Sequence, residues 1–84
     1  MNLAPSAQPL VRALIANVCG IPLQGVRTHE RLVEDLGIDS LDMADLLVGI
    51  ENNLGVVIDA EALASIQTVM HLEDAVTERV AAVA

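Results

Sequence analysis

The residues with chemical potential gather in one octapeptide, Asp35-Leu36-Gly37-Ile38-Asp39-Ser40-Leu41-Asp42, which holds one hydroxyl and three carboxylates. Several breakers precede it and an apolar-periodic run follows. That order predicts that Ser40 stands where a helix begins, beside unpartnered backbone N–H groups and the positive end of the helix dipole. A serine acts as a nucleophile only when a base takes its proton. No base precedes Ser40 in the octapeptide, the Gly-x-Ser-x-Gly elbow is absent, and the only histidines are His29 and His71. The octapeptide is therefore not read as the site of a self-contained hydrolase. Cys19 is the single cysteine, so it can form neither an internal disulfide nor a metal knuckle. It falls where a first helix should end on its apolar side, which predicts a buried structural thiol. With no Cys/His cluster and no Asp-x-Asp-x-Asp-Gly loop, no metal site is expected. His29 lies in a polar loop and His71 in the first turn of the last helix, so both are expected at the surface or in helix packing.

The octapeptide closely resembles the modification motif of acyl carrier proteins, Asp-Leu-Gly-x-Asp-Ser-Leu, and the resemblance runs from Gly20 to Val76. It implies that the Ser40 hydroxyl is esterified by phosphopantetheine, with Asp39 part of the same site, and that the thiol of the arm carries an acyl group. The partners it implies are a phosphopantetheinyl transferase and acyl-processing enzymes with basic patches. Asp39, Asp42, Asp45 and Glu51 occupy the positions that meet those patches. A phosphodiester at a helix start gains roughly 0.3–1 kcal/mol from the dipole, and Asp39 and Asp42 oppose it by a similar screened amount. The acids are thus expected to serve partner enzymes rather than hold the phosphate. The family's acid-rich pattern is interrupted at Asn52 and Asn53, which leaves fatty acid, polyketide and specialised lipid synthesis open. Two alternatives stand beside this reading. An aminoacyl or peptidyl carrier uses the same arm but usually has a glycine-rich, His-containing sequence before the serine, and Asp39 argues against it. A helical interaction module would carry no arm at all.

Four helices must position Ser40. The first starts near Ser6 to Pro9, with Leu10, Val11, Leu14, Ile15 and Val18 on one face and Gly20 as its stop. A long connection from Ile21 to Ile38 follows, expected to be pinned to the core by Val26, Leu32, Val33 and Leu36, with a helical turn over 31–36. The second helix runs from Ser40 to Leu54, capped by Asp39, with Met43, Leu46, Leu47, Ile50 and Leu54 inward. Leu41, Ala44 and Val48 then form a second apolar strip rimmed by Asp42, Asp45 and Glu51, which predicts a docking surface. Gly49 inside this helix costs about 1 kcal/mol relative to Ala, and the sequence offers no reason for it. Val56-Val57-Ile58 reads as an extended loop anchored by Ile58, because no second strand-like run exists to pair with it. A short helix spans Ala60 to Ser65. Thr68 caps a last helix with Val69, Leu72, Val76, Val80 and Val83 inward. The expected fold is all-α, a small antiparallel four-helix bundle with a long first loop and a short third helix.

Eighty-four residues make one domain over 1–84, with residues 1–7 loose. The composition is 54% hydrophobic with no aromatic residue, so the core is aliphatic. Such a core is expected to open around an attached chain between Leu46, Leu47, Ile50, Leu63, Ile66 and Val69, since each buried methylene contributes roughly 0.8 kcal/mol. The net charge is −8, and six of the twelve acids lie between Glu30 and Asp45. This argues against nucleic acid and anionic membrane and for partners with basic patches. No apolar run is long enough to insert in a bilayer and no signal peptide is read, so a cytoplasmic monomer is expected.

Overall fold

Apolar residues at helical spacing, punctuated by glycines and capping side chains, build four helices in the computed structural model, which describes residues 8–83 and the side chains of residues 9–82. They are α1 (Gln8–Cys19), α2 (Ser40–Leu54), α3 (Ala60–Ala64) and α4 (Val69–Val83), with a single 3-10 turn at Leu23–Gly25. The architecture is the small antiparallel four-helix bundle with a long first loop and a short third helix. The expectations for residues 1–7 and for the Val83 side chain lie outside what is described.

On α1, Val11 and Ile15 are fully buried, joined by Ala16, while Leu14 and Val18 pack against this core and Leu10 is half-buried. The helix ends in a Schellman arrangement: Gly20 N donates to Asn17 O at 3.3 Å and Ile21 N to Ala16 O at 3.1 Å. Cys19, expected to be buried, is only half-buried, because the chain leaves the helix at the next residue.

α1 packs against both α2 and α4. A Cβ built on Gly49 would lie 3.1 Å from Leu14 Cδ2, so the absence of a side chain at 49 lets α1 and α2 approach closely. A side chain at 49 would require Leu14 to give way by a few tenths of an ångström. Against α4, Arg12 reaches the carboxylate of Glu73, with Nε donating to Oε2 at 2.6 Å and Nη2 to Oε1 at 3.1 Å. Nη2 also donates to Thr28 Oγ1 at 2.7 Å. Glu73 is 2% exposed and stands among the core residues, so this ion pair joins α1, the first loop and α4 inside the fold.

The first loop is held by Val26, Leu32 and Ile38, all buried, with Leu36 packed beside them. Val33 does not pin it. Residues 31–37 form a turn in which Leu32 and Leu36 share the inner side, and Val33 is left 59% exposed. The loop is clamped to the approach to α4 by three backbone bonds: Leu32 N to Gln67 O at 2.8 Å, Val69 N to Glu30 O at 3.0 Å and Met70 N to Thr28 O at 2.9 Å. An isolated antiparallel bridge pairs Arg31 with Thr68 in the same place. After α2, Val56 is buried as well as Ile58 while Val57 is exposed, the alternation of an extended segment. The six residues expected to part around an attached chain belong to the core: Leu46, Ile50 and Val69 are fully buried, and Leu47, Leu63 and Ile66 pack against them.

Candidate functional site

Ser40 is the first residue of α2 and is exposed. The backbone reaches it through a stack of short-range bonds: Asp35 N and Leu36 N donate to Arg31 O, Gly37 N to Val33 O, and Ile38 N to Leu32 O. Gly37 sits at φ +71°, where a Cβ would be strained, so the turn needs glycine there. Buried Ile38 then anchors the chain immediately before Asp39.

The carboxylates around Ser40 mostly shape the backbone. Asp35 accepts from Arg31 N at 2.8 Å and from the Arg31 guanidinium at 3.2 and 3.3 Å, and these hydrogen bonds hold its carboxyl below the ordinary carboxylate range. Asp39 and Asp42 form a reciprocal capping box: Asp42 N donates to Asp39 Oδ1 at 2.8 Å and Asp39 N to Asp42 Oδ2 at 3.3 Å. Burial and, secondarily, the charge of Asp42 push the Cys19 thiol up, which keeps it protonated and a poor nucleophile.

Leu41, Ala44, Asp45 and Val48 recur at i, i+3, i+4 and i+7 and all are exposed, as is Glu51 one turn on. Leu41 is 77% exposed and Val48 54%. The side chains expected to dock a partner therefore form one strip of mixed apolar and acidic character, with Asp42 half-buried at its start. Beside Ser40 lies an open groove of about 350 Å³ lined by Val33, Ile38, Asp39, Ser40 and Met43. Two features escaped the sequence reading. Glu73 falls on the inward face of α4, and a charge on a core face signals a buried partner, which is Arg12. His71 makes specific bonds, with Nδ1 accepting from Gln67 N and Thr68 N. Among the described residues no group of three or more His, Cys, Asp or Glu side chains could hold a metal ion, and no helix is long and apolar enough to cross a membrane.

A family described as "Phosphopantetheine attachment site" matches residues 9–76. The chain belongs to the acyl carrier protein family. Over 74 residues it is 32% identical to the acyl carrier protein of Saccharopolyspora erythraea, covering 88% of this chain and 78% of that one. It is 37% identical over 59 residues to the acyl carrier protein of Thermotoga maritima, covering 70% and 73% of the two chains. With that of Nitratidesulfovibrio vulgaris the identity is 32% over 71 residues, covering 84% and 90%. Acyl carrier proteins are carriers and not enzymes, and the group this family takes is phosphopantetheine. The geometry at Ser40 suits such a group, since an exposed hydroxyl beside an open groove leaves room for a bulky ester. The Asp42 N–H already has the Asp39 carboxylate as acceptor, so the cap of α2 does not depend on the phosphate for its shape.

Proposed function

We propose that Ser40 is the residue to which phosphopantetheine is esterified and that the protein, a single carrier domain over residues 1–84, presents acyl groups to the enzymes of a biosynthetic pathway. The observation that supports this is the exposed Ser40 hydroxyl at the first position of α2, inside an Asp-Leu-Gly-x-Asp-Ser-Leu sequence. When bound, the arm supplies a thiol that carries the acyl group as a thioester. This chain's part is to hold the hydroxyl at a rigid helix start, away from any base that would make it reactive by itself. The strip of Leu41, Ala44, Asp45, Val48 and Glu51, with Asp39 and Asp42 at its head, is the surface offered to the transferase and to acyl-processing enzymes with basic patches. The cargo is an aliphatic acyl group of fatty acid, polyketide or specialised lipid synthesis, and the protein works as a cytoplasmic monomer.

Intact mass after incubation with coenzyme A and a broad-specificity phosphopantetheinyl transferase tests the reading. The wild type should gain one phosphopantetheine. Ser40→Ala should fold, since Ala is at least as good in a helix, and gain none. Attachment that persists in Ser40→Ala would move the site elsewhere, and a wild type that is never modified would favour a plain interaction module.

A further inference from the structure

The start of α4 is closed by an unusual pair. Thr68 Oγ1 accepts from His71 N at 3.1 Å, while His71 Nδ1 accepts from Thr68 N at 3.3 Å and from Gln67 N at 3.1 Å. This is the reciprocal pattern of a capping box with imidazole where Glu or Gln normally stands. The substitution changes the chemistry, because a protonated imidazole has no acceptor. It would also place a cation at the positive end of the helix dipole. The segment capped in this way is the one that grips the first loop through Gln67 O, Val69 N and Met70 N. Leu32, whose N–H bonds Gln67 O, in turn accepts from Ile38 N, two residues before Ser40.

We propose that His71 is a pH-sensitive latch: neutral, it holds the approach to α4 in the shape that clamps the first loop, and protonated, it releases that clamp and loosens the turn leading to Ser40. The charged groups around it do not replace the lost bonds. On α4, Asp74, Glu78 and Arg79 share its cleft, two acids against one base and all near solvent, where attraction is screened. α3 and the two residues that follow it contribute Ala62, Ser65 and Ile66 to that cleft, none titratable. From the loop, Glu30 accepts from Arg27 N and Arg31 is bound to Asp35. The latch does not require that Ser40 carry the arm, and its test uses the full, unmodified chain.

Thermal midpoints and backbone amide exchange of wild type, His71→Gln and the control His29→Gln are compared between about pH 7.5 and 5.5, on either side of the ordinary imidazole range. Gln keeps an acceptor at the capping position at both pH values. Wild type and His29→Gln should lose about 4–8 °C more on acidification than His71→Gln, the shift produced by losing one helix cap in a domain of this size. Corrected for intrinsic rates, the amides of Leu32, Val69 and Met70 should exchange roughly fivefold faster or more in wild type at the lower pH. Parallel midpoint curves for wild type and His71→Gln would overturn the proposal. Should His71→Gln not fold, wild type decides alone: loss of protection confined to these three amides supports the latch, and equal loss at Ile50 on α2 refutes it.

Discussion

Asp35 lies in the stretch that marks the site, yet its carboxylate closes the turn over Arg31 rather than facing a ligand. Its hydrogen bonds with Arg31 lower its proton affinity in the folded state. A carboxyl held low when folded adds stability above the ordinary carboxylate range, about pH 3.9, and that contribution disappears as pH falls through the lowered folded value. Asp35→Asn should therefore melt below wild type at pH 7, and the gap should narrow on acidification below about pH 4. A gap independent of pH would mean that the turn depends on the shape of the side chain and not on its charge. At this scale Ser40 is notable for what surrounds it, a capping box and an apolar groove. That suits a hydroxyl acted on by another protein's machinery.

Among the elements, α1 carries most of the internal organisation. Its contact with α2 includes Gly49, a residue of low helix propensity set close against the Leu14 side chain. Its contact with α4 includes the Arg12–Glu73 pair, which also ties in Thr28 of the first loop. Removing one partner of a buried pair leaves a charge without compensation, whereas removing both is far milder. Arg12→Ala should lower the unfolding free energy by about 3 kcal/mol in urea titration. Arg12→Met combined with Glu73→Leu should recover most of that loss. If the double variant is as unstable as Arg12→Ala, the pair is not what joins α1 to α4, and the loop bonds of Arg12 carry the connection.

Across the whole molecule, a net charge of −8 over 84 residues creates a field that draws basic partners from a distance. The structure also refines which acids can be altered without damage. Asp39 and Asp42 cap α2, so reversing either would disturb the helix as well as the surface. Asp45 and Glu51 are exposed and free of that duty. Asp45→Arg with Glu51→Arg should leave the melting midpoint close to wild type and slow modification by a phosphopantetheinyl transferase about tenfold or more at low salt. The wild-type rate should itself fall as ionic strength rises. Equal rates for both proteins at every salt concentration would show that the transferase docks on another face.

Local chemistry was enough to place the four helices, the Asp39 cap, the stop at Gly20 and the serine at the start of α2, because each depends on neighbours within a few positions. The apolar periodicity likewise placed Val11, Ile15, Leu46, Ile50, Val69, Leu72 and Val76 in the core. What only the tertiary structure decided lies in contacts between residues far apart in the chain. Val33 was assigned to the core by its apolarity, but the turn over Arg31 carries it outward to the groove beside Ser40. Gly49 had no reason until Leu14 of another helix was seen against it. Glu73 and Arg12 are 61 positions apart, and periodicity can flag a charge on an inward face but cannot name its partner. The bonds between residues 28–32 and 67–70 join two irregular segments that have no repeat to read. Helical order is written in local spacing, whereas the closing of loops and the pairing of buried charges follow from which surfaces meet, and that is settled only when the whole chain has packed.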